Sequence, residues 1–181
     1  MKSLQNKLYE GFYKNAGGMV QPRTKEELEK EIDIRLNRDQ TNLNDIDTSK
    51  ITDMSRLFFS DKRDLSKLDI SKWDTSNVTD MHNMFYNCFD FNCDLSKWDV
   101  SNVEDMSSMF DRCTNFNSDL SRWNVSKVKD IRCMFFNCHK FNSDLSRWNT
   151  SKVEYMNFAF DGSGVTPLPE WYRDNNKGLI I

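Results

Sequence analysis

The sequence predicts an α/β solenoid, with one short helix and one parallel strand in each turn and a cap at each end. The first observation behind this fold class is a repeat. The nine residues FNSDLSRWN occur at 116–124 and again, letter for letter, at 141–149, which is 25 positions later. The second is a change of apolar spacing inside each unit, from steps of three and four to steps of two. The third is that both ends of the repeat run into segments of different pattern. A catalytic site needs each of its groups once, whereas a stack of layers needs each packing position once per layer. Duplication therefore favours architecture over catalysis.

Aligned on itself at 25 residues, the chain falls into columns. Trp73, Trp98, Trp123 and Trp148 share one. Val78, Val103, Val128 and Val153 share another, as do Met81, Met106, Ile131 and Met156. Phe85, Phe110, Phe135 and Phe160 align, followed by Cys88, Cys113 and Cys138, then Phe91, Phe116 and Phe141, and then Leu95, Leu120 and Leu145. A looser earlier copy holds Asp47, Ser49, Ile51, Met54 and Phe58, with two extra residues before Trp73.

Within a unit, Val103, Met106, Met109, Phe110 and Cys113 step by three and four and predict a short helix. Ser101 and Glu104 stand as a capping box, repeated by Ser151 and Glu154. Asp80, Asp105 and Asp130 would lie in the first turn, favourably placed at a helix N-terminus. The stretch from Phe116 to Ser121 predicts a strand, with Phe116 and Leu120 on one face and Asn117, Asp119 and Ser121 on the other. At the N-terminal end, TKEELEKEIDIRLN from Thr24 predicts a cap helix. Thr24 and Glu27 form its capping box, and Leu28, Ile32 and Leu36 share a face. At the other end TPLPEWY predicts a protected edge strand, because Pro167 and Pro169 cannot donate ladder bonds. Six strand layers follow, around Leu43, Ile70, Leu95, Leu120, Leu145 and Leu168. The domain plan is a tail at 1–21, a cap helix at 22–42, the repeats at 43–160 and a capping strand and tail at 161–181.

The unit FNSDLSRWNVSKVKDIRCMF resembles the repeat of the BspA-like leucine-rich-repeat surface proteins, a repeat also found in mycoplasma lipoproteins. The shared pattern is Phe-Asn-x-Asp-Leu-Ser-x-Trp-Asp-x-Ser-x-Val-x-Asp-Met-x-x-Met-Phe, matched most fully from Phe91 to Phe110. The resemblance spans Leu43 to Trp171. It implies a leucine-rich-repeat-like solenoid with a binding role at a cell surface, and it implies no active-site residues.

Composition narrows the function classes. Net charge is −3 among 181 residues and no basic block stands out, which argues against nucleic acid as partner. Mean hydropathy is −0.75 and the apolar runs are short, so membrane insertion is not expected. The chain nonetheless carries 13 Phe, 9 Met and 5 Trp, enough for a core. Five Cys without a Cys-x-x-Cys pair or a Cys/His cluster predict reduced thiols and no metal. Cys88, Cys113 and Cys138 end the apolar face, and Cys133 replaces polar residues and is the thiol expected nearest solvent. His82 and His139 sit at different repeat positions, and nothing pairs a nucleophile with a base. No catalytic residue and no cofactor is expected.

The candidate binding face is the polar side of the DLS segments: Asn92, Asp94, Asn117, Asp119, Asn142 and Asp144, with Asp69 in an earlier layer. Carboxylates stacked about 4.8 Å apart repel, and something must offset them. A bound cation or a basic partner would do so. Pairing with Lys72, Lys97, Arg122 and Arg147, or hydrogen bonds to turn amides, would do so internally. A second contact would be the stripe of Leu4, Leu8 and Phe12 ahead of Gly17 and Gly18. The function expected is a monomeric, non-catalytic protein-protein interaction module. The alternatives are a structural component of a cell surface or phage virion, or a cation-stabilised adhesin-type repeat. MKSLQNKLYEGFYKN shows no apolar stretch and cleavage site, so a cytoplasmic location is expected, with cell surface or virion as the alternative from the resemblance.

Overall fold

The computed structural model describes residues 14–175, and the Leu4, Leu8 and Phe12 stripe lies outside them. Its helices among the described residues are α1, Lys25–Leu36, and α2, Glu170–Asn175. Thr24 caps α1, its side chain accepting from the Glu27 N–H. Leu28, Ile32 and Leu36 of α1 are buried.

The repeats carry neither the helix nor the strand that their spacing predicts. From Val103 to Cys113 there is no helix, and from Phe116 to Ser121 no strand. Pairing between layers is reduced to isolated parallel bridges, chiefly Asp53–Asp80, Asp80–Asp105, Asp105–Asp130 and Asp130–Tyr155. The six strand layers and the α/β solenoid are therefore wrong. So is the edge strand at Leu168: there the chain turns through a cis Thr166–Pro167 bond and enters α2.

Turns stacked in register replace them. In a helix the Met106 N–H would reach back to the residue four before it. Here it donates forward, to the Asp130 carbonyl of the next layer, at 2.9 Å. The N–H groups of Ser108, Phe110 and Arg112 follow suit, donating to the carbonyls of Arg132, Met134 and Phe136. The same forward bonds join 54–60 to 80–86, 81–87 to 105–111, and 131–137 to 155–161. We call this side of the stack the ladder wall. Between the forward donors the chain closes i→i+3 turns, such as Met109 N–H to the Met106 carbonyl and Cys113 N–H to the Phe110 carbonyl. Successive turns bring every third or fourth residue to one side, so their apolar spacing imitates that of a helix.

The backbone shows why no helix runs through. Left-handed φ values recur in two columns: Arg56, Asn83, Ser108, Cys133 and Phe158, and Ser60, Asn87, Arg112 and Asn137, with Gly162 next in line. A right-handed helix cannot cross such residues. Asn tolerates this region better than most side chains and Gly tolerates it best.

The core between the walls is aromatic. Phe58, Phe85, Phe110, Phe135 and Phe160 stack layer on layer with ring centroids 5.4 to 5.8 Å apart. Within layers, Phe91, Phe116 and Phe141 lie flat on that column at 4.0 to 4.1 Å. Both sets are buried, together with the Met, Val and Leu columns of the inner layers. Burying rings of this size supplies the main favourable term in so polar a chain.

Candidate binding face

From Phe91 to Leu95, buried and exposed residues alternate, and they do so again from Phe116 to Leu120. The alternation expected of a strand is thus present without a strand's pairing. Side chains make the links between layers instead. Asn92 Oδ1 accepts from the Asn117 N–H at 2.8 Å, and Asn117 Oδ1 accepts from the Asn142 N–H at 3.1 Å. The Leu95 N–H donates to Ser118 Oγ in the following layer at 2.8 Å, and Ser118 Oγ donates to Asp94 at 3.4 Å. Leu120, Ser143 and Asp119 repeat that relay.

The aspartates are held by turn amides. Asp94 accepts from the Ser96 N–H, Asp119 from that of Ser121 and Asp144 from that of Ser146, each at 2.9 Å. Asp69 accepts from Ser71 at 3.1 Å and from its hydroxyl at 2.7 Å. These are Asx turns, local bonds that fix the chain two residues on. The backbone amide of the following serine holds the carboxyls of Asp94, Asp119 and Asp144 below their ordinary range, with smaller help from Lys97, Arg122 and Arg147. Asn92, Asp94, Asn117, Asp119, Asn142 and Asp144 all remain exposed, and Asp69 is half-buried. The structure therefore gathers the predicted residues into two parallel rows on one side of the stack.

Two further columns lock the layers from inside. Each indole N–H donates to a carbonyl of the preceding layer: Trp98 to Ile70, Trp123 to Leu95 and Trp148 to Leu120, at 3.0 to 3.1 Å. Trp171 does the same to Leu145 at 2.9 Å, although its backbone is helical. The thiols of Cys88, Cys113 and Cys138 donate to the carbonyls of Phe58, Phe85 and Phe110 at 2.8 to 2.9 Å. Burial pushes the Cys88 thiol up to about 12 and raises those of Cys113 and Cys138 as well. Thiols held this far from ionisation are poor nucleophiles. Cys133 is the one cysteine that is not buried.

Sequence reasoning missed what the ladder wall displays. Asp80, His82 and Asp105 converge there, with ligand-type atoms within 4.8 Å of one another. Their bonds are already internal: Asp80 Oδ1 lies 2.8 Å from His82 Nδ1, and Asp105 accepts from Ser107 Oγ at 2.7 Å. The shared column of Asp80 and Asp105, with His82 two residues on, was the available signal. Arg56 lies over the Phe59 ring at 3.8 Å and Arg132 over that of Tyr155 at 5.1 Å, also on this wall. No helix among the described residues is long and apolar enough to cross a membrane.

Comparison with curated proteins finds no match, and comparison with solved structures finds none. A family model described as a Mycoplasma protein of unknown function, DUF285, matches residues 29–67 and 52–167. With the matched residues covering most of the chain and following its repeats, the protein belongs to the DUF285 family.

Proposed function

We propose that this protein is a non-catalytic protein-protein interaction module whose contact surface is the polar face. The observation that carries the reading is the pair of exposed rows, Asn92–Asn117–Asn142 and Asp94–Asp119–Asp144, in which the side chains of Asn92, Asn117 and the three aspartates are held by a hydrogen bond or turn and Asn142 joins through its backbone N–H. A surface ordered in advance loses little entropy on binding. Its acidic row suits a basic partner, and such pairing weakens with salt. The likeness of the repeat to that of BspA-like surface proteins supports a setting at a cell surface.

The Asx turns determine how the reading should be tested. Replacing an aspartate by lysine would remove both the charge and the turn acceptor. Asparagine removes only the charge, and the chain already uses it so: Asn124 and Asn149 accept from the N–H of Ser126 and Ser151 at 3.2 Å. Affinity capture should therefore compare the natural chain with Asp94→Asn/Asp119→Asn/Asp144→Asn. A protein with a basic surface, retained at low salt by the first and lost by the second at unchanged melting temperature, is the expected result. Identical retention by both would contradict the reading.

A further inference from the structure

The ladder wall is polar along the stack. Apart from the single bridge in each layer, its N–H groups point toward the C-terminal end and its carbonyls toward the N-terminal end. One end must therefore finish in acceptors and the other in donors. The acceptor end is covered. Met54 and Phe58, which no repeat layer precedes, are 0% and 1% exposed. Lys25 of α1 reaches Ser55 Oγ at 2.5 Å and Asp53 at 3.4 Å.

The donor end is covered only at Phe160, which is 4% exposed beneath Trp171 and Tyr172 of α2, and is open at Tyr155 and Phe158. Its last layer receives the bonds from Ile131, Cys133, Phe135 and Asn137, but among the described residues the N–H groups of Met156, Phe158 and Gly162 donate to no backbone carbonyl. Met156 is half-buried, whereas Met81, Met106 and Ile131 of the same column are buried. Two columns that hold no aromatic residue in any preceding layer become aromatic here. Asp53, Asp80, Asp105 and Asp130 are followed by Tyr155, and Arg56, Asn83, Ser108 and Cys133 by Phe158. Tyr155 is 50% and Phe158 56% exposed. Of the three large exposed apolar side chains among the described residues, Tyr155 and Phe158 thus stand where the backbone donors end, and Phe89, 49% exposed, lies elsewhere.

We propose that this edge docks a further layer, supplied as a segment of a different polypeptide that carries the same Asp-Met-x-x-Met-Phe pattern. A donor-only edge calls for a segment presenting carbonyls at alternate residues, which is the ladder conformation itself. A second copy does not fit. Its own donor edge would meet donors with donors, and its acceptor edge lies under α1. Tyr155 and Phe158 would supply the apolar contact and the free N–H groups the register. The polar face takes no part, so this proposal and the reading above stand or fall separately.

The test uses the full chain and a fluorescent peptide of residues 103–112, VEDMSSMFDR, read by anisotropy, with a scrambled peptide as control. The variant is Tyr155→Asp/Phe158→Asn, which restores residue types that the preceding layers carry at those positions, Asn being suited to the left-handed φ of 58° at Phe158. Saturable one-to-one binding, at least tenfold weaker for both the scrambled peptide and the variant, is the expected result. Absence of saturation, equal binding of the two peptides or an unaffected variant would overturn the proposal. So would a dimer, seen by sedimentation, that the variant abolishes, since a second copy would then be the occupant. Binding seen only after Leu179, Ile180 and Ile181 are replaced by Asp would assign the edge to the chain's own C-terminus, with the same consequence.

Discussion

The ladder wall and the polar face are cut from the same repeat, yet their layers are joined by different atoms. On the ladder wall, backbone bonds to backbone: Met81, Met106 and Ile131 donate to Asp105, Asp130 and Tyr155 with no side chain involved. The letters on its outward side are accordingly free to vary, as Ser55, His82, Ser107, Arg132 and Asn157 do. On the polar face the links run through side chains, from Asn117 to Asn142, from Ser143 to Leu120 and from Trp148 to Leu120. Asn117, Ser118, Asp119, Ser121, Trp123 and Asn124 there each take part in a hydrogen bond, and Phe116 and Leu120 fill the core, which favours the unchanged duplication of FNSDLSRWN. On the polar face, repetition extends beyond the core columns to the positions where side chains do the work of backbone pairing.

The aromatic stack common to both regions should show the largest effect when broken. Phe110 touches Phe85, Phe116 and Phe135 and is 0% exposed. Phe110→Ala should cost about 3–5 kcal/mol, read as a fall in denaturant midpoint. A midpoint unchanged within error would show that the layers do not share this core.

The next effect belongs to the polar side. Trp123→Phe keeps a ring but removes the indole bond to the Leu95 carbonyl, which still accepts from the Trp98 N–H, at a cost of about 0.5–1.5 kcal/mol. A neutral result would mean that the indole bonds are incidental and that the tryptophan column repeats for packing alone.

On the ladder wall the corresponding change should stabilise. Asp111 shares its column with Phe59, Tyr86 and Phe136 and, in the last layer, with Asp161. It is 7% exposed, and its Oδ1 is buried without a hydrogen-bond partner among the described residues. Arg112 Nε lies 3.7 Å from it, an incomplete compensation. Burial raises this carboxyl to about 6. Between an unfolded value of about 3.9 and that figure, the folded chain holds a proton that the unfolded chain has released. The contribution of Asp111 to stability is therefore greatest at low pH and is lost as pH rises from about 4 to about 6. Asp111→Phe should raise the melting temperature at pH 7 and leave a smaller gain at pH 4. An equal gain at both values would assign the effect to packing and not to charge.

The smallest effect is expected where an Asx turn survives. Asp119→Asn retains the acceptor for the Ser121 N–H and should change stability by less than about 0.5 kcal/mol. Asp119→Ala removes it and should cost more. If the two variants melt together, the turn bond contributes nothing and the repeated Asp needs another explanation.

The contrast between the regions also explains what the sequence could disclose. Helix α1 was readable because Thr24, Glu27 and the Leu28–Ile32–Leu36 face are local signals. The in-register stacking of the Phe and Trp columns was readable because one side chain repeats at one spacing. The helix expected from Val103 to Cys113 was misread because i→i+3 turns and an α-helix place apolar residues at the same intervals. What separates them is the sign of φ at Ser108 and Arg112, residues that do not announce a left-handed conformation as Gly would. The strand expected at Phe116 does not form. Its alternation is present, but Asn and Ser side chains intercept the bonds that a neighbouring strand would have taken. The candidate face was legible as a row of acids and amides. The open edge was not, since only the direction of the ladder bonds shows that Tyr155 and Phe158 stand at a donor end.

Amide hydrogen exchange, resolved residue by residue in the unliganded protein, tests the ladder most directly. The N–H groups of Met106, Ser108, Phe110 and Arg112 bond to the next layer, whereas those of Met156 and Phe158 have no layer to meet among the described residues. Strong protection of the four inner amides, together with fast exchange at Met156 and Phe158, is the predicted result. A run of helical Cα shifts from Val103 to Cys113, or equal protection in the inner and last layers, would contradict it.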